Sequence, residues 1–173
     1  METFPWHIWE SHRNEIRFQS AAGQLGRIVS GRLMPGCDFL LGIIEMARTH
    51  NVRSAWVNGF GSLATASFSP GIRISTSMHD RVERLPNLEI SGPIEIWSGM
   101  GRLGVPETGE PFIHFHGLLV TSEGQLYGGH FFPGSNNVYA TFEVHIQEIL
   151  GVEFQLEEDE EVEIPLIKLK EII

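Results

Sequence analysis

The sequence has one cysteine, no long apolar run and few basic residues, and each scarcity excludes a class of protein. Cys37 alone allows neither an intramolecular disulfide nor a cysteine-based zinc site, which is typical of a reducing compartment. No apolar run approaches the roughly 20 residues of a membrane span, so no membrane partner is expected. The first 15 residues also lack the apolar segment of a signal peptide. We therefore predict a cytoplasmic protein.

Basic residues are outnumbered, with 12 Lys and Arg against 22 Asp and Glu, and the formal net charge is −10. Six of the acidic residues lie in one run at 157–163, which we interpret as a solvated loop or edge. A protein that binds nucleic acid needs Lys and Arg to replace the counterions of the phosphate backbone. The basic residues of this chain are scattered, so nucleic acid is not an expected partner.

Helix and strand patterns in the remaining sequence predict one helix among many strands. Asp38 is a candidate N-cap for a helix over residues 39–50. Alternating apolar residues joined by short turns predict strands elsewhere. The pattern indicates an α+β fold, a single domain over 21–173 with a mostly antiparallel sheet, preceded by an N-terminal arm at 1–20.

Two segments between the predicted strands are interpreted as loops. Gly59-Phe60-Gly61-Ser62 lacks the G-x-G-x-x-G spacing and a following lysine, which excludes a nucleotide-binding loop. We interpret it as a tight turn that brings backbone close to a site, with Asn58 and Ser62 as possible hydrogen-bond donors to a ligand. Residues 79–87 are polar and charged, which is typical of a mobile loop.

The segment FIHFHGLLVTSEGQLYGGHF, residues 112–131, predicts a β-hairpin with three histidines on one face. His114 and His116 share a face because strand side chains alternate. A three-residue loop, with Gly124 in the left-handed conformation, would pair Thr121 with Gln125 and place His116 opposite His130. A two-residue loop would instead send His130 to the other face. Three converging imidazoles suit a tetrahedral metal with one open position.

Five segments, read in order, resemble the plants-and-prokaryotes conserved (PPC) domain. They are RLMPGCDFL, NGFGSLATAS, GPIEIWSGMGRLG, HFHGLLVTSEGQLYGGHFFPG and TFEVHI. The resemblance covers roughly residues 25–155. It implies an α+β fold with an antiparallel sheet, assembled as a homotrimer. Plant members of the family follow AT-hooks, whereas this chain has no Arg-Gly-Arg-Pro hook.

Many bacterial and archaeal members of the family carry an H-x-H pair and a third histidine, and they resemble zinc-binding proteins. The resemblance therefore implies one Zn²⁺ per chain on His114, His116 and His130. Imidazole alone would equally accept iron, cobalt, nickel or copper. The PPC fold is also similar to that of acetolactate decarboxylase, which holds zinc with three histidines, although likeness of fold does not specify a reaction.

Turnover at such a metal would need a proton donor or acceptor and a cation for an anionic substrate. Glu143 and Glu95 are the candidate catalytic carboxylates and Arg32 is the candidate cation, because each lies in a segment that resembles the family. Arg32 could instead form an ion pair with Asp38 or Glu45, and glutamates in strands usually face solvent.

Three functions fit these observations. The first is a zinc-dependent enzyme, either a decarboxylase-like lyase or a hydrolase, acting on a small oxygen-chelating acid. The second is a non-catalytic regulatory module that binds a metal or a small molecule. The third is a DNA-associated protein, and the net charge of −10 makes it the least expected.

Overall fold

The computed structural model describes residues 14–74, 82–106, 109–162 and 164–172, in which ten strands and one helix form. The helix α1 is Phe39–Thr49. The strands are β1 Gln24–Leu33, β2 Ser54–Ser69, β3 Ile72–Ile74, β4 Val82–Arg84, β5 Leu88–Gly104, β6 Phe112–Thr121, β7 Leu126–Phe131, β8 Val138–Leu150, β9 Val152–Glu158 and β10 Pro165–Glu171. Among the described residues, no helix is long and apolar enough to cross a lipid bilayer.

Six strands form one antiparallel sheet in the order β1-β8-β2-β5-β6-β7. The end of β2 also pairs with β7, through Phe68 with Phe131 and Ser69 with His130. The strands β2, β5, β6 and β7 therefore close on themselves. The β3–β4 and β9–β10 hairpins form two smaller sheets. One helix on a mostly antiparallel sheet confirms the predicted α+β fold.

The core lies between α1 and one face of the sheet, and Phe39 is at its centre. The ring of Phe39 lies 5.2 Å from that of Phe115, 5.8 Å from that of Phe131 and 4.5 Å from that of Phe142. All four rings are fully buried. Successive side chains of a strand point to opposite faces. The residues that flank Phe115 on β6 therefore lie on the outer face of the sheet, the face opposite the helix.

Asp38 is the N-cap of α1, as predicted, and it also fixes a distant turn. One carboxylate oxygen accepts the N–H of Leu41 at 2.9 Å. The other oxygen accepts the N–H groups of Gly134 and Asn136 at 2.9 and 2.8 Å. Buried or capping carboxylates with this many donors hold a loop firmly. The predicted alternative role of Asp38, an ion-pair partner for Arg32, is thus replaced by backbone hydrogen bonds.

The predicted tight turn at residues 59–62 is wrong, because β2 runs through it without interruption. A Cβ on Gly59 would lie 2.4 Å from the ring of Phe142, and one on Gly61 would lie 2.3 Å from the Thr141 carbonyl oxygen. Gly61 also has φ of 148°, beside an irregularity in the strand pairing. Both glycines therefore allow β2 and β8 to pack closely. A glycine-rich composition is equally typical of a turn, so composition alone did not distinguish the two structures.

The predicted loop at residues 79–87 is also partly wrong, since Val82–Arg84 pairs with Ile72–Ile74 as a short hairpin. The acidic run does turn the chain, as predicted. Asp159 follows β9 and accepts the N–H groups of Glu161 and Val162 at 3.0 and 3.2 Å. Most of the predicted N-terminal arm at 1–20 lies outside the described residues.

Replacing Phe39 by alanine tests whether this residue organises the core. We expect Phe39→Ala to lower the free energy of unfolding by about 3–5 kcal/mol, since it removes a fully buried ring that three others contact. Leu41→Ala on the same helix is the control, because Leu41 is half exposed and should change stability by less than about 0.5 kcal/mol. Urea unfolding of both variants would measure the difference, and equal effects would contradict this assignment of the core.

Candidate metal centre

The three histidines lie on the outer face of the β6–β7 hairpin. His116 pairs directly with His130, and His114 lies two residues before His116 on the same face. The loop is Ser-Glu-Gly at 122–124, in which Gly124 has φ of 77° and donates its N–H to the Thr121 carbonyl oxygen at 2.9 Å. The Thr121 N–H in turn donates to the Gln125 carbonyl oxygen at 3.0 Å. The predicted register of the hairpin is therefore confirmed.

The three imidazoles are close enough to share one ion. Their ring centroids lie 4.7–5.1 Å apart, and one nitrogen from each ring lies within 4.8 Å of the other two. A tetrahedral zinc about 2.1 Å from each nitrogen would place them about 3.4 Å apart. Small side-chain rotations would close that difference. Among the described residues, this is the group of histidine, cysteine and acidic side chains whose arrangement could hold a metal.

The surroundings keep these imidazoles without a proton at neutral pH. Burial is the main cause that lowers the pKa of His114 to about 4 and that of His130 to about 3. Burial also lowers the pKa of His116, the most exposed of the three. The mutual proximity of the rings lowers the pKa of His114 and His130 further. A neutral imidazole presents the lone pair that a metal needs, so the donor set fits a metal ion.

Two arginines lie beside the histidines, and neither was predicted from the sequence. Arg102 on β5 pairs with His114, and its guanidinium lies over the rings of Trp56 and Phe154 at 5.7 and 5.5 Å. Arg84 on β4 lies over the ring of Phe132, 5.5 Å from its centroid. Sequence patterns could not identify these residues, because the pairings of Trp56 with Arg102 and of Ser69 with His130 join strands that are distant along the chain.

Both arginines act on the histidines through their charge. Arg84 lowers the pKa of all three imidazoles, and Arg102 lowers that of His114. Within the described ranges, no carboxylate belongs to the cluster. A metal bound here would have only neutral protein ligands, and the positive field around it would attract an anion.

The three predicted catalytic residues lie elsewhere on the sheet in a single chain. Arg32 on β1 pairs directly with Glu143 on β8, and three strand spacings separate β8 from β6. At about 4.8 Å per spacing, Glu143 is about 14 Å from the histidines. Glu95 pairs with Val120, four residues beyond His116, so it lies about 13 Å away along β6. The roles of these residues stay predictions.

The predicted ligand-binding residues on β2 are divided between the two faces of the sheet. Asn58 is exposed and belongs to a row of paired residues that leads to the metal centre. That row is Ser30, His145, Asn58, Met100, His116 and His130. Gly59 is buried against Phe142, and Ser62 is buried with its hydroxyl accepting the Ala140 N–H at 3.1 Å. Ser62 pairs with Glu95 and so shares the face of Asn58, which is the exposed one of the two predicted hydrogen-bond donors on the side of the histidines.

Solved structures of similar fold come from archaea and bacteria. A metal-containing protein of Archaeoglobus fulgidus is 24% identical, with a TM-score of 0.73 over 87% of this chain and 99% of that one. A plant- and prokaryote-conserved protein of Pyrococcus horikoshii is 22% identical, with a TM-score of 0.70 over 90% and 100%. A protein of Ralstonia eutropha, to which DNA binding has been ascribed, is 20% identical, with a TM-score of 0.64 over 82% and 90%. At such identities the likeness shows the fold alone.

No curated protein matches the chain. The sequence profile of the Plants and Prokaryotes Conserved (PCC) domain matches residues 20–150, more than half of the 173 residues. This match confirms the resemblance to the PPC domain that the ordered segments predicted. The chain is a member of the Plants and Prokaryotes Conserved (PCC) domain family.

Proposed function

We propose that His114, His116 and His130 bind one zinc ion per chain, and that the open position of this ion takes a small anionic oxygen ligand. The observation that carries the proposal is the convergence of three ring nitrogens within 4.8 Å of one another on the face opposite the core. Neutral imidazoles at this spacing suit zinc, with other imidazole-binding metals as the alternatives. The metal-containing neighbour from Archaeoglobus fulgidus supports a metal in this fold.

The charges around the site favour an acid as the ligand. Three neutral ligands leave a zinc ion its full charge of +2, and Arg84 and Arg102 add to the positive field. A hydroxy- or keto-acid that chelates through adjacent oxygens would offset that charge. When bound, zinc would supply Lewis acidity and would lower the pKa of a coordinated water towards about 7.

We further propose that the metal centre catalyses a lyase or hydrolase reaction. A carboxylate must reach the ligand to move a proton, and Glu143 and Glu95 both lie more than about 10 Å from the histidines of their own chain. A neighbouring chain in a homotrimer could supply such a group. Likeness to acetolactate decarboxylase and a cytoplasmic location stay predictions.

Exposed apolar side chains around the site support self-association through the outer face. Phe60, Met100 and Leu118 are each 49% exposed, and Trp97 is 64% exposed. Phe60 and Trp97 also line a cavity of about 130 Å³ with Asn58 and His145. An apolar surface of this kind beside polar residues is typical of a protein interface. We therefore propose the homotrimer that the family resemblance implies.

DNA association is the second candidate function, favoured by the DNA binding ascribed to the Ralstonia eutropha neighbour. It predicts an affinity that falls steeply between 50 and 200 mM salt, because phosphate contacts release counterions. The net charge of −10 argues for weak binding of this kind. DNA binding of this kind would not depend on the three histidines, whereas metal binding would.

Removing one histidine tests the metal site. We expect elemental analysis of the untagged protein to find about one zinc per chain, and His130→Ala to lose at least nine tenths of it, because two remaining imidazoles cannot complete the site. His145→Ala is the matched control, since His145 is an exposed histidine on the same face that lies outside the cluster. Zinc retained by His130→Ala, with circular dichroism unchanged, would refute the ligand assignment.

The lowered pKa values predict how the metal-free protein responds to acid. In the unfolded chain these imidazoles take up protons below about pH 6.5, whereas in the folded chain His114 and His130 do so only near pH 4 and 3. The unfolded state therefore binds more protons, and stability falls as the pH drops from about 6.5 towards 3. We expect the Tm of the metal-free wild type to fall more steeply over this interval than that of His130→Ala. An equally steep fall of Tm with pH in both proteins would show that burial does not lower the pKa of these histidines.

A charged substitution among the exposed apolar side chains of the outer face tests self-association. Three chains of 19.4 kDa give about 58 kDa, the mass that light scattering should find for the wild type. Trp97→Glu should shift this mass towards 19.4 kDa, because a buried unpaired carboxylate disfavours an interface. Leu41→Glu, at an exposed apolar site on the helix, should leave it unchanged. A monomeric wild type would contradict the homotrimer.

A further inference from the structure

Arg84 is one of the two arginines beside the histidines that the sequence patterns did not predict. Its guanidinium carbon lies 5.5 Å from the centroid of Phe132, whose ring stacks on that of His130 at 4.4 Å and 29°. The guanidinium carbon is therefore within about 10 Å of the His130 ring. An arginine over an aromatic face keeps its planar edge, with five N–H donors, available to a ligand.

The hairpin that carries Arg84 is hydrogen-bonded to the end of β2, the strand that pairs with β7 at His130. Ser69, which pairs with His130, is 1% exposed, and its hydroxyl lies 3.0 Å from the Gly71 carbonyl oxygen and 2.8 Å from that of Leu85. The Leu85 N–H donates to the same Gly71 carbonyl oxygen at 2.9 Å. Leu85, the residue after Arg84, is thus hydrogen-bonded to Ser69, which pairs with the candidate metal ligand His130.

The guanidinium of Arg84 has no carboxylate partner within the parts of the chain that the structure describes. The neighbouring Glu83 forms an ion pair with Arg73 across the hairpin, with 2.5 Å between Nε of Arg73 and Oε1 of Glu83. The side chain of Arg84 is exposed, so its donors are accessible to a ligand from solvent. An unpaired arginine held at a fixed place beside a metal centre is suited to bind a carboxylate in the bidentate geometry.

Resting on the metal site proposed above, we propose that Arg84 binds a second anionic group of the ligand and so makes the site selective for dicarboxylic hydroxy- or keto-acids. A metal about 2.1 Å from a ring nitrogen of His130 lies about 3 Å from the ring centroid, so the guanidinium carbon is at most about 13 Å from the metal. A metal–oxygen bond takes about 2.1 Å of this distance, and a charged hydrogen bond takes about 4 Å when measured from the guanidinium carbon. At most about 7 Å then separates the two anionic groups. Acids of four or five carbons fit within this distance.

The test measures binding of malate, a dicarboxylic hydroxy-acid, and of lactate, its monocarboxylic analogue, to the zinc-loaded full chain by calorimetry. We expect the wild type to bind malate at least tenfold more tightly than lactate. Arg84→Gln should retain its zinc, lose roughly 10- to 100-fold in malate affinity and change less than about threefold for lactate. Arg84→Lys should recover only part of the loss, because lysine lacks the bidentate fork.

Arg48→Gln is the control for the loss of one positive charge, since Arg48 is exposed on the helix on the opposite side of the sheet. It should bind both acids as the wild type does. Equal malate affinity in Arg84→Gln and wild type, or equal losses for malate and lactate, would overturn the role of Arg84 and leave the metal site standing. A wild type that binds no zinc would instead overturn the proposed function, and this inference with it.

Discussion

The burial of two phenylalanines, Phe115 and Phe131, is the constraint on which the candidate metal centre depends. Each ring is fully buried in the cluster around Phe39, and each such burial is worth about 1.5–3 kcal/mol. Because neighbours along a strand point to opposite faces, burying Phe115 turns the histidines on either side of it outward together. Burying Phe131 does the same for His130, and the core thus holds together three rings that would repel one another if charged.

The same crowding determines what the site can bind. Partial burial and proximity hold the imidazoles in their neutral form, and the nearby guanidinium groups strengthen that effect. Neutral donors suit a metal ion, and a divalent ion bound here would add its charge of +2 to a region that already contains two arginines. Within the described part of the chain, no carboxylate of the cluster would offset that charge. An anion at an open position of the ion would therefore be favoured by the field as well as by the number of ligands.

The features that could be predicted from the sequence are local ones. The Ser-Glu-Gly loop fixes the register of a single hairpin, so the convergence of His116 and His130 followed from turn chemistry and alternation. Asp38 was recognisable as an N-cap for the same reason. The glycines at 59 and 61 did not indicate their role, because close packing between strands and a tight turn both select glycine. Only the pairing of β2 with β8 distinguishes the two cases.

Neither arginine was predictable, because both are placed by β2, a strand on which neither lies. The first part of β2 supplies Trp56, over whose ring the Arg102 guanidinium lies. Its last residue, Ser69, pairs with His130 and holds the base of the hairpin that carries Arg84. One strand that pairs with β5, β7 and β8 thus brings two cations and a histidine to the same place. A shift in the pairing of β2 would move all three, so the closure of β2 on β7 links the position of the histidines to that of the cations.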